Sequence, residues 1–279
     1  KRIVASTWGD GVGITMAQVA AVTSFGGKFN KNTLIKKFNE LQYFTSVNNF
    51  GVYNGAGFYG CTALEEVTLP PTLKALKQQD FSTCTALKKI NLENIEDFGT
   101  GNTFYNCTSL TNVTLSNNVK KIPATCFNGC TSLYFDIPEC VEVIENGAFG
   151  GCPISTGTLN LPNLTSIKST SLKSSLFQRI ENLGNITQLS GGGWAEWTFN
   201  VNALNSVILP PTLTSIGDRT FGVSGSGDMR VNPIQWIWAQ GLRPPTIATY
   251  TFNLFKGIFY VPDESLEAYK TATNWSAFA

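Results

Sequence analysis

A seven-residue signature, Phe-x-x-Cys-Thr-x-Leu, is spelled four times in this chain, at residues 58–64, 81–87, 104–110 and 127–133. Cys61, Cys84, Cys107, Cys130 and Cys152 follow one another at 23, 23, 23 and 22 residues, and Phe58, Phe81, Phe104, Phe127 and Phe149 precede them by three. Self-similarity at such a period marks a solenoid, in which each repeat is one coil that cannot bury its apolar face until its neighbours stack on it. Inside each unit the pattern Leu-x-x-Val-x-Leu, as at Leu64, Val67 and Leu69, alternates in its second half like a strand with one buried face. Strands recurring in one direction form a parallel sheet. A Pro or Asn turn follows, then a second apolar pair such as Leu73 and Leu76, so each coil has a strand side and a looser side. The register extends backward to Leu41 and Phe44, which lie 23 residues before Leu64 and Val67.

Later copies decay but keep strand, turn and corner: "LNLPNLTSI" at 159–167, "FNVNALNSVILPPTLTSIGDRTF" at 199–221 and "IQWIWAQGLRPPTIATYTF" at 234–252. The glycine-rich insertions "SGGGWAEW" (190–197) and "GVSGSGD" (222–228) read as loops. A terminal coil exposes its core, so both ends need covers. "VPDESLEAYKTATNW" (261–275) predicts a capping helix with Asp263 as N-cap and Leu266, Tyr269 and Ala272 on its inner face. "TMAQVAAV" (15–22) and "NKNTLIKKFNEL" (30–41) predict two short helices. The resulting organisation is an N-terminal helical cap over residues 1–40, a solenoid over 41–261 and a C-terminal capping helix over 262–279, forming one cooperative domain.

The chain contains no histidine, which removes Ser-His-Asp and Cys-His nucleophiles and His-containing zinc sites. Net charge is +1, without a dense Lys/Arg block, so the electrostatic footprint of a nucleic-acid binder is missing. The apolar runs fall short of the ~20 residues that a membrane span requires. The recurring cysteine reads as architecture, a small apolar group at a tight inner corner. A disulfide or metal stack is the alternative, since adjacent coils would bring the thiols within ~5 Å. Identical side chains point the same way, however, and the spacing is not that of a zinc site. Cys126 and Cys140 fall outside the ladder and read as thiols. No cofactor or metal is implied.

If the apolar strand positions point inward, the outward columns are Tyr43 and Thr45, Glu66 and Thr68, Lys89 and Asn91, Asn112 and Thr114, Tyr134 and Asp136, Arg179 and Glu181, Ser206 and Ile208, and Trp236 and Trp238. Exposed aromatics and Arg dominate interface energetics, which selects Trp236, Trp238, Ile208, Tyr134, Arg179 and Tyr43 as the partner-contact set. The competing expectation is that the C-terminal cap or the 222–228 loop folds over the two tryptophans. Trp194 and Trp197, beside three glycines, suggest an aromatic clamp or a loop packed back on the coil. Glu66 and Lys89 predict a solvated cross-strand pair. Glycoside hydrolysis would need two carboxylates ~5–9.5 Å apart, and the strand spacing leaves the outward acids farther apart than that.

The unit "FxGCTxLxxVTLP" resembles the BspA-like leucine-rich repeats of bacterial surface proteins, and "FNELQYFT" (38–45) with "FYVPDESLEAYKTATNWSAF" (259–278) is similar to the end segments of such proteins in gut Bacteroidetes. The resemblance runs from about Phe38 to Phe278. It implies an α+β leucine-rich-repeat solenoid of about nine coils of ~23 residues, with a parallel sheet on one side and short helical caps. It also implies an exported or cell-surface setting and a non-enzymatic role in protein or glycan contact; a polysaccharide-active enzyme and a passive spacer are the alternatives. The segment "STWGDGVGITMAQVAAV" (6–22) resembles a decayed EF-hand-like lead-in. Only Asp10 and Gly11 survive of its loop, and Gln18 stands where the bidentate Glu would be, so calcium's oxygen set is incomplete.

Overall fold

The computed structural model describes residues 13–51, 56–154, 157–189, 198–199, 203–221 and 232–278. The chain is a parallel-sheet β-solenoid of about 8 turns. Its contacts divide into two compact units, Lys1–Val119 with Thr125–Phe135, and Lys120–Ala124 with Asp136–Ala279.

The first unit shows what the repeated signature does. Phe29, Phe58, Phe81, Phe104 and Phe127 stack ring on ring, with centroids 5.2–5.4 Å apart and planes within 13°. Each cysteine thiol donates to the carbonyl of the phenylalanine one coil earlier: Cys61 to Phe29, Cys84 to Phe58, Cys107 to Phe81 and Cys130 to Phe104, at 2.9–3.1 Å. The threonine after the cysteine has the same role outside the corner, since Thr108 Oγ1 donates to Thr85 O at 3.2 Å and Thr131 Oγ1 to Thr108 O at 3.5 Å. The residue before each cysteine turns the chain through the left-handed region, at Gly60 (φ 71°), Thr83 (φ 59°), Asn106 (φ 57°) and Gly129 (φ 80°). Glycine and asparagine recur there because the region penalises a Cβ.

All seven cysteines are thiols. Burial pushes Cys61 up to about 11 and raises Cys84 and Cys107 as well. Thiols held protonated in this way are poor nucleophiles. The architectural reading of the ladder therefore holds.

Three short strands form the first unit's sheet: β1 (Lys37–Phe38), β2 (Glu66–Val67) and β3 (Lys89–Ile90), all parallel. The first strand begins earlier than the sequence register predicts. Lys37 and Phe38 pair with Glu66 and Val67, while residues Asn39–Tyr43 form a 3₁₀ helix in place of a strand. The helix expected over 30–41 does not form. Asn32 Oδ1 accepts from the amides of Leu34 and Ile35, an Asx-type turn that competes with a helix start, and the chain then joins the sheet edge. The helix expected at 15–22 is present as α1 (Met16–Ala21), with a Thr15/Gln18 capping box.

In the second unit β4 (Lys121–Ile122), β5 (Val143–Ile144) and β7 (Ser166–Ile167) make one parallel sheet. A five-stranded sheet runs in the order β14 (Ile258–Tyr260), β12 (Trp236–Ala239), β10 (Ser206–Leu209), β8 (Arg179–Asn182) and β6 (Thr158–Asn160). A third contains β9 (Gln188–Leu189), β11 (Ser215–Ile216) and β13 (Thr246–Ile247). The side expected to be looser thus carries parallel strands of its own, built on pairs such as Ser-Ile whose second residue is buried. Phe199, Phe221 and Phe252 form a corner stack of their own, at 5.5 Å.

The C-terminal cap is a 3₁₀ turn (Asp263–Ser265) followed by α2 (Leu266–Thr271). Its anchors are Tyr269, whose hydroxyl donates to Gly241 O at 3.1 Å, and Trp275, whose indole N–H donates to Pro245 O at 2.7 Å. Leu266, expected on the inner face, is exposed. Asp263 lies inside the 3₁₀ turn, which moves the helix N-cap two residues on, to Ser265.

Candidate ligand-contact face of the parallel sheet

The outward side chains of the five-stranded sheet are positioned by strict register. Ser206 lies beside Trp236 and Trp236 beside Ile258; Ile208 lies beside Trp238 and Trp238 beside Tyr260; Arg179 flanks Ser206. Neighbouring strands sit ~4.8 Å apart, so these residues make two contiguous rows. Trp238, Ile258 and Tyr260 are 44%, 58% and 52% exposed. The rings of Trp236 and Tyr260 meet nearly at right angles (78°), with centroids 6.4 Å apart. Beside Trp236 lies a shallow depression of about 340 Å³ lined by Asn160, Arg179, Glu181, Asn182, Ser206 and Ile208. Ser206 was expected to point outward, and it keeps that register, yet it is only 3% exposed because Arg179 and Trp236 flank it on both sides.

Gly257 lets the last strand seat. A Cβ there would lie 2.3 Å from Gln235 O, and the next residue, Ile258, donates its amide to that same carbonyl at 2.9 Å.

Of the six residues singled out from sequence, Arg179, Ile208, Trp236 and Trp238 come together on this face. Tyr43 and Tyr134 belong to the first unit. Tyr43 ends a 3₁₀ helix and is not on the strand that the sequence register assigns to it. Tyr134 is exposed outside any strand, and its amide donates to Thr111 O. The capping helix leaves Trp238 open to solvent. Trp194, Trp197, Asp10, Gly11 and the 222–228 loop lie outside the described residues. Sequence reading missed Ile258 and Tyr260; the alternation Ile258-Phe259-Tyr260, with only Phe259 turned toward the core aromatics Phe252 and Trp275, carried the signal.

The first unit's outward face behaves differently. Glu66 pairs with Lys37 at 3.0 Å rather than with Lys89, and accepts from Asn39 Nδ2 at 3.0 Å; the Lys37 hydrogen bond, then Asn39, hold its carboxyl below its usual range. Thr68 donates to Asn39 Oδ1, and the Asn91 amide closes on both Leu69 N and Leu69 O. The carboxyl that burial pushes up, Asp80 at about 7, is only 1% exposed in the core corner, so it cannot reach a substrate on either face. Among the described residues no cluster of acids and cysteines could hold a metal ion, and no helix is long and apolar enough to cross a membrane.

Stacked parallel coils with a leucine strand and a phenylalanine-cysteine corner define a leucine-rich-repeat protein. The chain belongs to the BspA type leucine rich repeat region family, which matches it in 6 copies over residues 29–155 and 134–226. Among solved structures, a leucine-rich repeat protein from Bacteroides ovatus ATCC 8483 is 14% identical over 78% of this chain and 82% of its own, with a TM-score of 0.30. A leucine rich cell surface protein from Faecalibacterium prausnitzii A2-165 is 20% identical over 80% and 79%, with a TM-score of 0.28. No curated protein matches.

Proposed function

We infer that this chain is a non-enzymatic binding protein of the cell surface or secreted space. Its contact surface is the outward face of β8, β10, β12 and β14. The surface setting follows from what the repeat family implies; the contact surface follows from the rows in which Ile258, Trp238 and Tyr260 are exposed and Trp236 is half-buried beside them. Water-exposed aromatics in fixed register cost hydration free energy that a bound partner would recover. The test is a screen of the purified chain on glycan arrays and host-matrix protein arrays, repeated with Trp236→Ala and Trp238→Ala. A ligand lost by either variant supports the reading; ligands bound equally by wild type and both variants remove the face from it.

A further inference from the structure

The geometry points to a neutral polysaccharide, bound with its pyranose rings against Trp238, Tyr260 and Trp236, as the ligand of the five-stranded face; this rests on the binding reading above. A pyranose has an apolar C–H surface and a rim of hydroxyls, and so needs flat aromatic area next to polar groups. The face supplies both in adjacent positions. Trp236 and Tyr260 form a right-angled aromatic corner, Trp238 stands beside Tyr260, and the shallow depression begins at Trp236 itself.

The polar lining is amide and ion-pair chemistry suited to hydroxyl groups. Asn160 Nδ2 donates to Glu139 and Asn182 Oδ1 accepts from Gly184 N, which fixes both amides while each keeps a second amide atom for a ligand. Arg179 and Glu181 stand 3.9 Å apart with most or half of each side chain exposed, so donors and acceptors are offered together. Their charges cancel. A face with a balanced pair has no net cation to favour a uronate or sulfated chain, which selects a neutral glycan. A protein interface of standard size would need about 800 Å² from each partner, centred on desolvated anchors, whereas here the aromatic centre adjoins an open depression with a polar lining.

The test uses the full chain in affinity electrophoresis and tryptophan-fluorescence titration. The probes are a mixed-linkage β-glucan, a xylan, a galactomannan and, as the acidic comparator, polygalacturonate. The expected result is retardation and a fluorescence shift with at least one neutral polymer and not with polygalacturonate. Trp238→Ala and Arg179→Ala should each weaken binding at least tenfold, Trp238→Phe should restore most of it, and Lys89→Ala on the first unit should change nothing. Gly257→Ala, which displaces β14 without altering a contact residue, should also weaken it, with near-UV circular dichroism reporting whether the rest of the fold is intact. Preference for polygalacturonate, or retardation unchanged in Trp238→Ala, overturns the inference. If no neutral polymer binds but a matrix protein does, and Trp238→Ala abolishes that contact, the glycan assignment falls while the binding face stands. If neither class depends on Trp238 or Trp236, both fall.

Discussion

The two units build the same coil and finish its sheet face in opposite ways. In the first, outward groups bond to one another: Glu66 to Lys37 and Asn39, Thr68 to Asn39, and Asn91 to both backbone groups of Leu69. In the second, the corresponding strand positions carry Trp238, Ile258 and Tyr260, which project into solvent, and a half-buried Trp236. The interior does not follow this division, because the phenylalanine corner stack recurs in both units at 5.2–5.5 Å. Core periodicity fixes the scaffold, and the outward positions, free of that constraint, are where the coils diverge.

The largest effect tests the shared core. Phe81→Ala removes a ring sandwiched between Phe58 and Phe104, and Phe221→Ala one between Phe199 and Phe252. Each should cost about 3–5 kcal/mol, the usual range for a buried phenylalanine truncated to alanine. Urea unfolding measures it. Equal costs would confine the difference between the units to their surfaces; a much smaller cost at Phe221 would show that the second core is looser and break the comparison.

A second prediction exploits one corner residue that differs. Asp80 Oδ2 accepts from Lys77 N at 2.7 Å, just as Thr251 Oγ1 accepts from Ala248 N at 2.9 Å in the second unit. The fold offers this position to a hydroxyl, yet the first unit fills it with a carboxyl whose folded value burial raises to about 7. The native state therefore holds the proton more tightly than the unfolded chain, whose Asp titrates near ~3.9. The group's contribution is fully present below pH ~4 and is lost as pH rises through about 7, on the order of 4 kcal/mol in all. Asp80→Thr should flatten the pH dependence of unfolding between pH 4 and 7 and make the chain more stable at pH 8. A wild-type midpoint that stays flat across that window would refute the shifted acid.

The corner, its period and the inward strand positions were legible in the sequence because every coil repeats one packing problem, and a solution that recurs is visible as letters. The coil start at Lys37 was not. The first coil spans 29 residues, from Phe38 to Val67, so counting back by 23 landed on Leu41 and Phe44 and put Tyr43 on a strand it does not join. The strands of the looser side were hidden because each is only two residues long and shows no alternation. On the contact face the tryptophans were legible from their spacing, whereas Tyr260 was masked by proximity to the cap. Leu266 shows the converse error, an apolar residue at helical spacing that the 3₁₀ start rotates outward.

A gain of about 1 kcal/mol is expected from Thr83→Gly. Thr83 holds φ at 59° in the position where neighbouring coils have Gly60, Asn106 and Gly129. A β-branched residue is strained in that region, although glycine's freer unfolded chain offsets part of the relief. Thermal unfolding should therefore show a modest rise in the midpoint, with Thr83→Asn giving a smaller one. A fall would mean that the threonine makes compensating contacts in the corner.

Only a small stability change is expected where the functional change is largest. Trp238→Ala removes a half-exposed ring from an outward row, so unfolding should shift by less than about 1 kcal/mol, against the 3–5 kcal/mol of Phe81→Ala. Lys37→Ala on the first unit removes an exposed ion pair and should leave the midpoint where it was. The two variants then differ only in ligand binding, which the first should lose and the second keep. If Trp238→Ala instead destabilised the chain as much as a core phenylalanine does, the aromatic rows would be a structural cover for the last coils, and the contrast between a self-satisfied face and an open one would disappear.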